Sequence, residues 1–255
     1  MIAALPMYDW PEVRAATDRL WESLRDHFSD IGVAPPAALT RGGDPWAVWQ
    51  DPSLVLSQTC GLPFSARLAG KCTLLGAPDY HLPDSPKGAY RSIVIARGEG
   101  AEVMDLQGAR FAFNMRESQS GWAALDKSLE IEDHFGELVQ TGAHRESIIA
   151  VAEGRADCAA IDAVAWVLAQ RHEPAAANVH AIATTPPTPG LPLITSLANA
   201  DKAKAMKEAI SFAIAALDAP TRSALALRGF KEWSEADYAP LAAGWPEAAS
   251  ASELH

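Results

Sequence analysis

Phe111-Ala112-Phe113-Asn114-Met115-Arg116-Glu117-Ser118-Gln119-Ser120-Gly121-Trp122 is the stretch whose reading decides the fold class. The patterning predicts a strand over 110–113 and a helix over 121–129, with two hydroxyls, two amides and a glycine between them. Downstream the rhythm repeats: strand 138–140, helix 146–152, strand 158–161, helix 163–171. Strands alternating with helices imply an α/β unit whose sheet is mostly parallel and flanked by helices. In such a unit, helix N-termini gather at the carboxyl ends of the strands, where unpaired N–H groups and the helix dipole favour anions.

That position makes Asn114, Ser118, Gln119, Ser120 and Gly121 candidates for holding an oxyanion. A plainer reading also fits, in which Ser118 caps the helix and Gly121 permits close packing. His144, in Thr141-Gly142-Ala143-His144-Arg145-Glu146-Ser147, stands at a second strand-to-helix turn, where an imidazole can donate to an oxyanion or simply cap. Asp162 follows the apolar run Cys158-Ala159-Ala160-Ile161 and is placed to cap the next helix, to bind a ligand donor or to orient His144.

Working outward, residues 2–5 read as a buried strand, followed by a helix carrying Val13, Ala16, Leu20, Leu24 and Phe28 on one face, with Asp9 and Glu12 as its capping pair. Strands are expected over 53–57, 73–76, 90–97, 179–183 and 191–195. A long helix is marked by Ala203, Met206, Ile210, Ile214 and Leu217, and the end of the chain reads as helical and then irregular. Two turn-rich connections, near 77–89 and 184–190, bracket the central unit. The expected organisation is therefore one lobe from residues 1–89 and 185–255, a second from 90–184, and a pair of hinge crossings between them. Met7, Tyr8, Cys60 and Gly61 end the first two strands and face the presumed cleft, while Tyr90 and Arg91 lie at a crossing.

The chain has 255 residues, 49% of them hydrophobic, enough for one large core or two compact ones. Its formal charge of −11, without any basic run, argues against a nucleic-acid partner and means that an anion must be held by a local cluster of donors. Three cysteines, without CxxC spacing, indicate neither a zinc site nor a disulfide framework, and allow at most one disulfide. No cofactor or metal motif is present: GxGxxG, GxxxxGK[ST], HExxH and GxSxG are all missing. No apolar stretch is long enough to span a membrane, and the first residues lack the pattern of a signal peptide.

Several segments together resemble the phosphate- and phosphonate-binding components of ABC transporters, a branch of the two-lobed type II periplasmic binding proteins. They are LPMYD at 5–9, SQTCGLP at 57–63, YRSIVIAR at 90–97, FAFNMRESQSGW at 111–122, TGAHRESIIAVAEGRADCAAID at 141–162 and TPGLPLITS at 188–196. The resemblance implies a solute-binding protein, not an enzyme, that closes around phosphate, phosphite or a phosphonate for delivery to a permease and ATPase. It implies a periplasmic location, with a cytoplasmic one as the alternative given the missing leader. It assigns the phosphoryl oxygens to Ser118, Ser120 and His144, with Gln119 standing where such proteins often carry a further hydroxyl. Two other readings are a ligand sensor, and an enzyme on the same fold, similar to pyrimidine-precursor synthases, using Cys60 or His144.

Overall fold

A computed structural model describes residues 1–83 and 85–246. Its strands are β1 Ile2–Ala4, β2 Leu54–Gln58, β3 Thr73–Tyr80, β4 Ala89–Tyr90, β5 Ser92–Ala96, β6 Arg110–Phe113, β7 Glu137–Gln140, β8 Cys158–Asp162, β9 His180–Thr184, β10 Thr188–Pro189, β11 Leu193–Thr195 and β12 Leu227–Lys231. The α-helices are α1 Arg14–Asp30, α2 Pro45–Trp49, α3 Gly61–Pro63, α4 Ala124–Leu129, α5 Ile131–His134, α6 His144–Ala152, α7 Ala163–His172, α8 Ala203–Ala216, α9 Ala219–Ala224 and α10 Glu235–Tyr238.

Two five-stranded sheets organise these elements. One runs β1-β2-β11-β3-β12 and the other β7-β6-β8-β5-β9. The architecture is two-lobed and α/β, as expected. The sheets, however, are mixed rather than mostly parallel. β5 runs against both β8 and β9, and β11 against both β2 and β3, while β1 pairs with β2, and β6 with β7 and β8, in parallel. The reversal has a topological cause: β5 and β11 are the strands that enter after a crossing, and they insert into the sheet interior in the opposite direction.

Each lobe buries its own core. α1 and α8 lay Trp21, Leu24, Phe28, Met206, Ile210 and Ile214 on the first sheet. On the second sheet, Ile148, Val151, Ile161 and Ala169 pack on one face and Phe111, Phe113, Trp122 and Phe135 on the other. The small residues of β8, Cys158-Ala159-Ala160, are all fully buried and let helices approach both faces closely. α7 serves both lobes, because Val164 and Leu168 join the first core while Ala165 and Ala169 join the second.

The crossings lie side by side. β4 and β10 pair antiparallel, Thr188 with Tyr90 and Pro189 with Ala89, and the Gly190 N–H donates to the Gly88 carbonyl at 2.8 Å. A side chain at Gly190 would press on that carbonyl, so the close approach of the two segments needs glycine.

Three local expectations need correction. Asp9 and Glu12 do not cap α1; its N-cap is Val13, with no side-chain bond, because Arg41 and Arg14 hold Asp9 and Arg145 holds Glu12. The loop expected from residue 77 is instead the second half of β3, which continues through Pro78 because β12 pairs with it. Gly76, at φ +134°, absorbs the register shift there, and a Cβ would crowd the Lys231 carbonyl. β12 itself falls in the stretch expected to be irregular.

Candidate functional site

Between the lobes lies a cavity of about 540 Å³. Its lining comes from both: Met7, Tyr8, Trp10, Pro45, Trp46, Trp49, Cys60 and Pro63 on one side, Asn114, Met115, Glu117, Ser118, Ser120, His144, Arg145 and Asp162 on the other. A smaller internal space of about 40 Å³, between α1, α8 and the first sheet, is walled mainly by side chains such as Leu24, Ile210 and Leu227. It is a packing gap in a core, and the Tyr8, Thr17 and Gln58 donors at its edge are already bonded to Asp162, the Val13 carbonyl and Tyr80.

The loop after β6 builds the polar end. Ser118 is the N-cap of a π-helical turn, Gln119–Ala123, that leads into α4. Its Oγ accepts from the Gly121 N–H at 3.0 Å, which leaves the hydroxyl proton free to point elsewhere. The π turn widens the backbone spiral at the point where the loop meets the cavity, a placement common at functional sites. Gly121 has to be glycine, since a Cβ there would overlap the Asn114 side-chain oxygen. Both readings of this segment therefore hold at once: Ser118 caps, Gly121 packs closely, and the turn still presents Ser118 and Ser120 to the cavity.

α6 begins with His144, which Gly142, at φ +85°, turns toward this loop. His144 Nε2 and Ser120 Oγ are 3.1 Å apart. Burial pulls the imidazole down to about 4, only partly opposed by the nearby Ala160 carbonyl, so the ring is neutral at physiological pH. The ring's tautomer sets the direction of the Ser120–His144 hydrogen bond. The Tyr90 phenol stands behind Ser120 without a hydrogen bond of standard geometry. Among the described residues, four buried polar atoms in this neighbourhood make no hydrogen bond of standard geometry: Tyr90 Oη, Asn114 Oδ1, Gln119 Oε1 and His144 Nδ1. Buried polar groups are normally satisfied, so such a cluster marks a place where something else completes the network.

Asp162 caps α7, its Oδ1 accepting from the Val164 and Ala165 N–H groups at 2.7 and 3.1 Å. Its Oδ2 accepts from the Tyr8 hydroxyl of the opposite lobe at 2.8 Å. Burial lifts this carboxyl to about 6 despite those donors. Cys60, also from the first lobe, accepts the Gln119 N–H on its sulfur at 3.4 Å, and burial raises its thiol above the ordinary value. At the rim, Arg145 donates to Glu12 at 3.0 Å and to Glu173 at 2.7 Å while lying 4.7 Å over the Trp10 ring.

The structure thus brings Met7, Tyr8, Cys60, Asn114, Ser118, Ser120, His144 and Asp162 around one cavity. Gln119, Gly121 and Tyr90 stand behind its wall, and Gly61 faces Leu241 and Tyr238. Arg91 reaches back to the Thr184 hydroxyl at 3.4 Å. Neither Cys60 nor Asp162 hydrogen-bonds to His144. Sequence reasoning missed Trp10, Trp46, Trp49 and Arg145. For the α2 residues a signal existed: Asp44-Pro45 is a helix start, and the Asp44 side chain does accept from the Trp46 N–H.

Comparison with curated protein sequences finds no match. Among solved structures, the chain is similar to PhnD1 from Prochlorococcus marinus in complex with methylphosphonate, with a TM-score of 0.72 and 15% identity over 95% of this chain and 96% of that one. XAC2383 from Xanthomonas citri, solved bound to ATP, gives 0.70 and 12% over 96% of each. A binding protein component of an ABC phosphonate transporter from Pseudomonas aeruginosa gives 0.67 and 16% over 94% of this chain and 83% of that one. Identities this low establish a shared fold. The sequence itself goes further, because residues 66–240 match the family model described as the ABC transporter, phosphonate, periplasmic substrate-binding protein. That match spans more than half of the chain, and the chain belongs to this family.

Proposed function

We propose that the lobes formed by residues 1–89 with 185–255 and by residues 90–184 close around an oxyanion of the phosphate, phosphite or phosphonate class. Ser118, Ser120 and His144 meet its oxygens, and Asn114 borders it. The observation that carries this reading is the Ser118–Ser120–His144 group, set at a π turn beside buried polar atoms without a standard hydrogen bond and open to the interlobe cavity. Methylphosphonate in one structural relative and ATP in another both present phosphoryl oxygens, the feature such a set of neutral donors addresses.

The protein hands its ligand to a membrane permease with its ATPase, and works in the periplasm. Among the described residues no helix is long and apolar enough to cross a membrane, and the transporter partners follow from the family match. No chemical step is part of this function. Cys60 keeps its proton and is bonded to the Gln119 N–H, while His144 turns to Ser120, so the thiol and the imidazole do not form a nucleophile-base pair.

Each hydrogen bond to a charged ligand contributes about 1.5–3 kcal/mol, so four or five, less the terms for closure and ordering, give about micromolar affinity. Calorimetry with phosphate, phosphite, methylphosphonate, aminoethylphosphonate, phenylphosphonate and sulfate tests the reading. Heat from at least one is expected; no heat from any of them, with the protein folded, would sink it.

A further inference from the structure

The cavity is far larger than an oxyanion. A water claims roughly 30 Å³ of liquid volume, so a headgroup of a few heavy atoms leaves most of about 540 Å³ unfilled. The remaining wall opposite Ser118 and Ser120 is carbon-rich: Met7, Trp10, Pro45 and Trp46. Trp46 is held by edge contacts to Trp49 and Trp245, with ring centroids 5.1 and 6.0 Å apart, yet stays half-exposed. Indoles fixed this way and left partly uncovered suit a flat apolar partner.

The charged groups argue the same way. A ligand cation would look for a free carboxylate, and the cavity offers few. Asp9 is taken by Arg41 at 2.6 Å and Arg14 at 3.8 Å. Both oxygens of Asp162 already accept hydrogen bonds, and Arg145 already covers Trp10. Among the described residues only Glu117 lines the cavity as a carboxylate without an ion pair or hydrogen bond.

Resting on the oxyanion reading, we propose that the ligand is an organic phosphonate or phosphate ester whose substituent is broad and apolar, an aryl group for example, and that Trp46 with Trp10 selects for it. Bare phosphate and methylphosphonate fill only the polar end.

The test measures the affinities of methylphosphonate, aminoethylphosphonate and phenylphosphonate for the wild-type protein by calorimetry. Phenylphosphonate is expected to bind at least ~10-fold more tightly than either of the others, from the apolar area it covers. In Trp46→Leu, checked for folding by circular dichroism, most of that preference should vanish while methylphosphonate binding stays within about twofold. Methylphosphonate or aminoethylphosphonate binding as tightly as phenylphosphonate would overturn the aryl proposal and leave the oxyanion reading standing. No binding by all three would overturn the aryl proposal, and the oxyanion reading falls with it when phosphate, phosphite and sulfate give no heat either. Should the variant not fold, the wild-type ranking still decides.

Discussion

The cleft wall built from residues 114–162 is a surface of hydroxyls, an imidazole and amides, whereas the wall facing it, from residues 6–63, is mostly rings and aliphatic carbon. The polar wall stands on strand-to-helix turns, where the backbone itself supplies direction: Ser118 is fixed by the Gly121 N–H and His144 by the start of α6. The apolar wall leans less on such a frame, with the Asp44 cap of α2 anchoring Trp46. It is held by side-chain packing and by three bonds that cross between lobes: Tyr8 to Asp162, the Gln119 N–H to Cys60, and Arg145 to Glu12. One wall is therefore set by its own backbone, and the other by packing and by bonds that reach across the cleft.

The largest expected break in this contrast is the double substitution Ser118→Ala with Ser120→Ala. It removes two donors to a charged ligand, about 1.5–3 kcal/mol each, so affinity measured by calorimetry should fall at least ~100-fold with the fold intact by circular dichroism. A fall below about tenfold would mean that the polar wall does not hold the ligand.

The next effect is titration, and two buried groups of the polar wall oppose one another. His144, at about 4, stays neutral in the folded protein while an unfolded chain's histidine protonates near 6.5, so its contribution to stability is lost as pH falls from about 6.5 to 4. Asp162, at about 6, keeps a proton that the unfolded chain releases near 3.9, so its contribution rises as pH falls from about 6 to 4. The two nearly cancel in the wild type. Urea unfolding of His144→Gln should expose stability rising by about 1–3 kcal/mol as pH drops from 6 to 4, and Asp162→Asn should expose the opposite slope. Parallel slopes in the two variants would refute the assignment.

Tyr8→Phe removes the phenolic donor and leaves a buried carboxylate oxygen without it, for a loss of about 1–3 kcal/mol in urea unfolding at pH 7. That loss should shrink at pH 5, where Asp162 is protonated. The smallest effect belongs to the rim. Glu12→Gln weakens a part-exposed pair with Arg145, so about 0.5–1 kcal/mol is expected, fading in high salt when ligand dissociation is followed by stopped flow.

The polar wall was largely legible in the sequence, and the apolar one was not. An apolar strand ending in Asp162 before a helical run signals a cap, and the cap is there. Ser118 at a helix start is the same kind of local signal. Trp10 carries none and Asp44-Pro45 marks only the helix that holds Trp46, because an indole lining a cleft and an indole in a core look identical in one dimension. Asp9 and Glu12 misled for a related reason: their position suits a capping pair, but Arg41 and Arg145, distant along the chain, claim them instead. β12 was invisible because its Gly229 weakens strand propensity, and only pairing with β3 makes Leu227–Lys231 extended. Pro78, which marks a loop by local rules, is carried inside β3 by that same pairing.

Tyr90 belongs to β4, one half of the ribbon through which the chain crosses between lobes, and its phenol backs Ser120. Because β4 is hydrogen-bonded to β10, a bend at the crossing turns both strands together, and the phenol swings with them. The crossing ribbon and the backing of Ser120 thus share one element, in the manner of a cam and its follower, so a change of angle at β4–β10 would reach Ser120 as well.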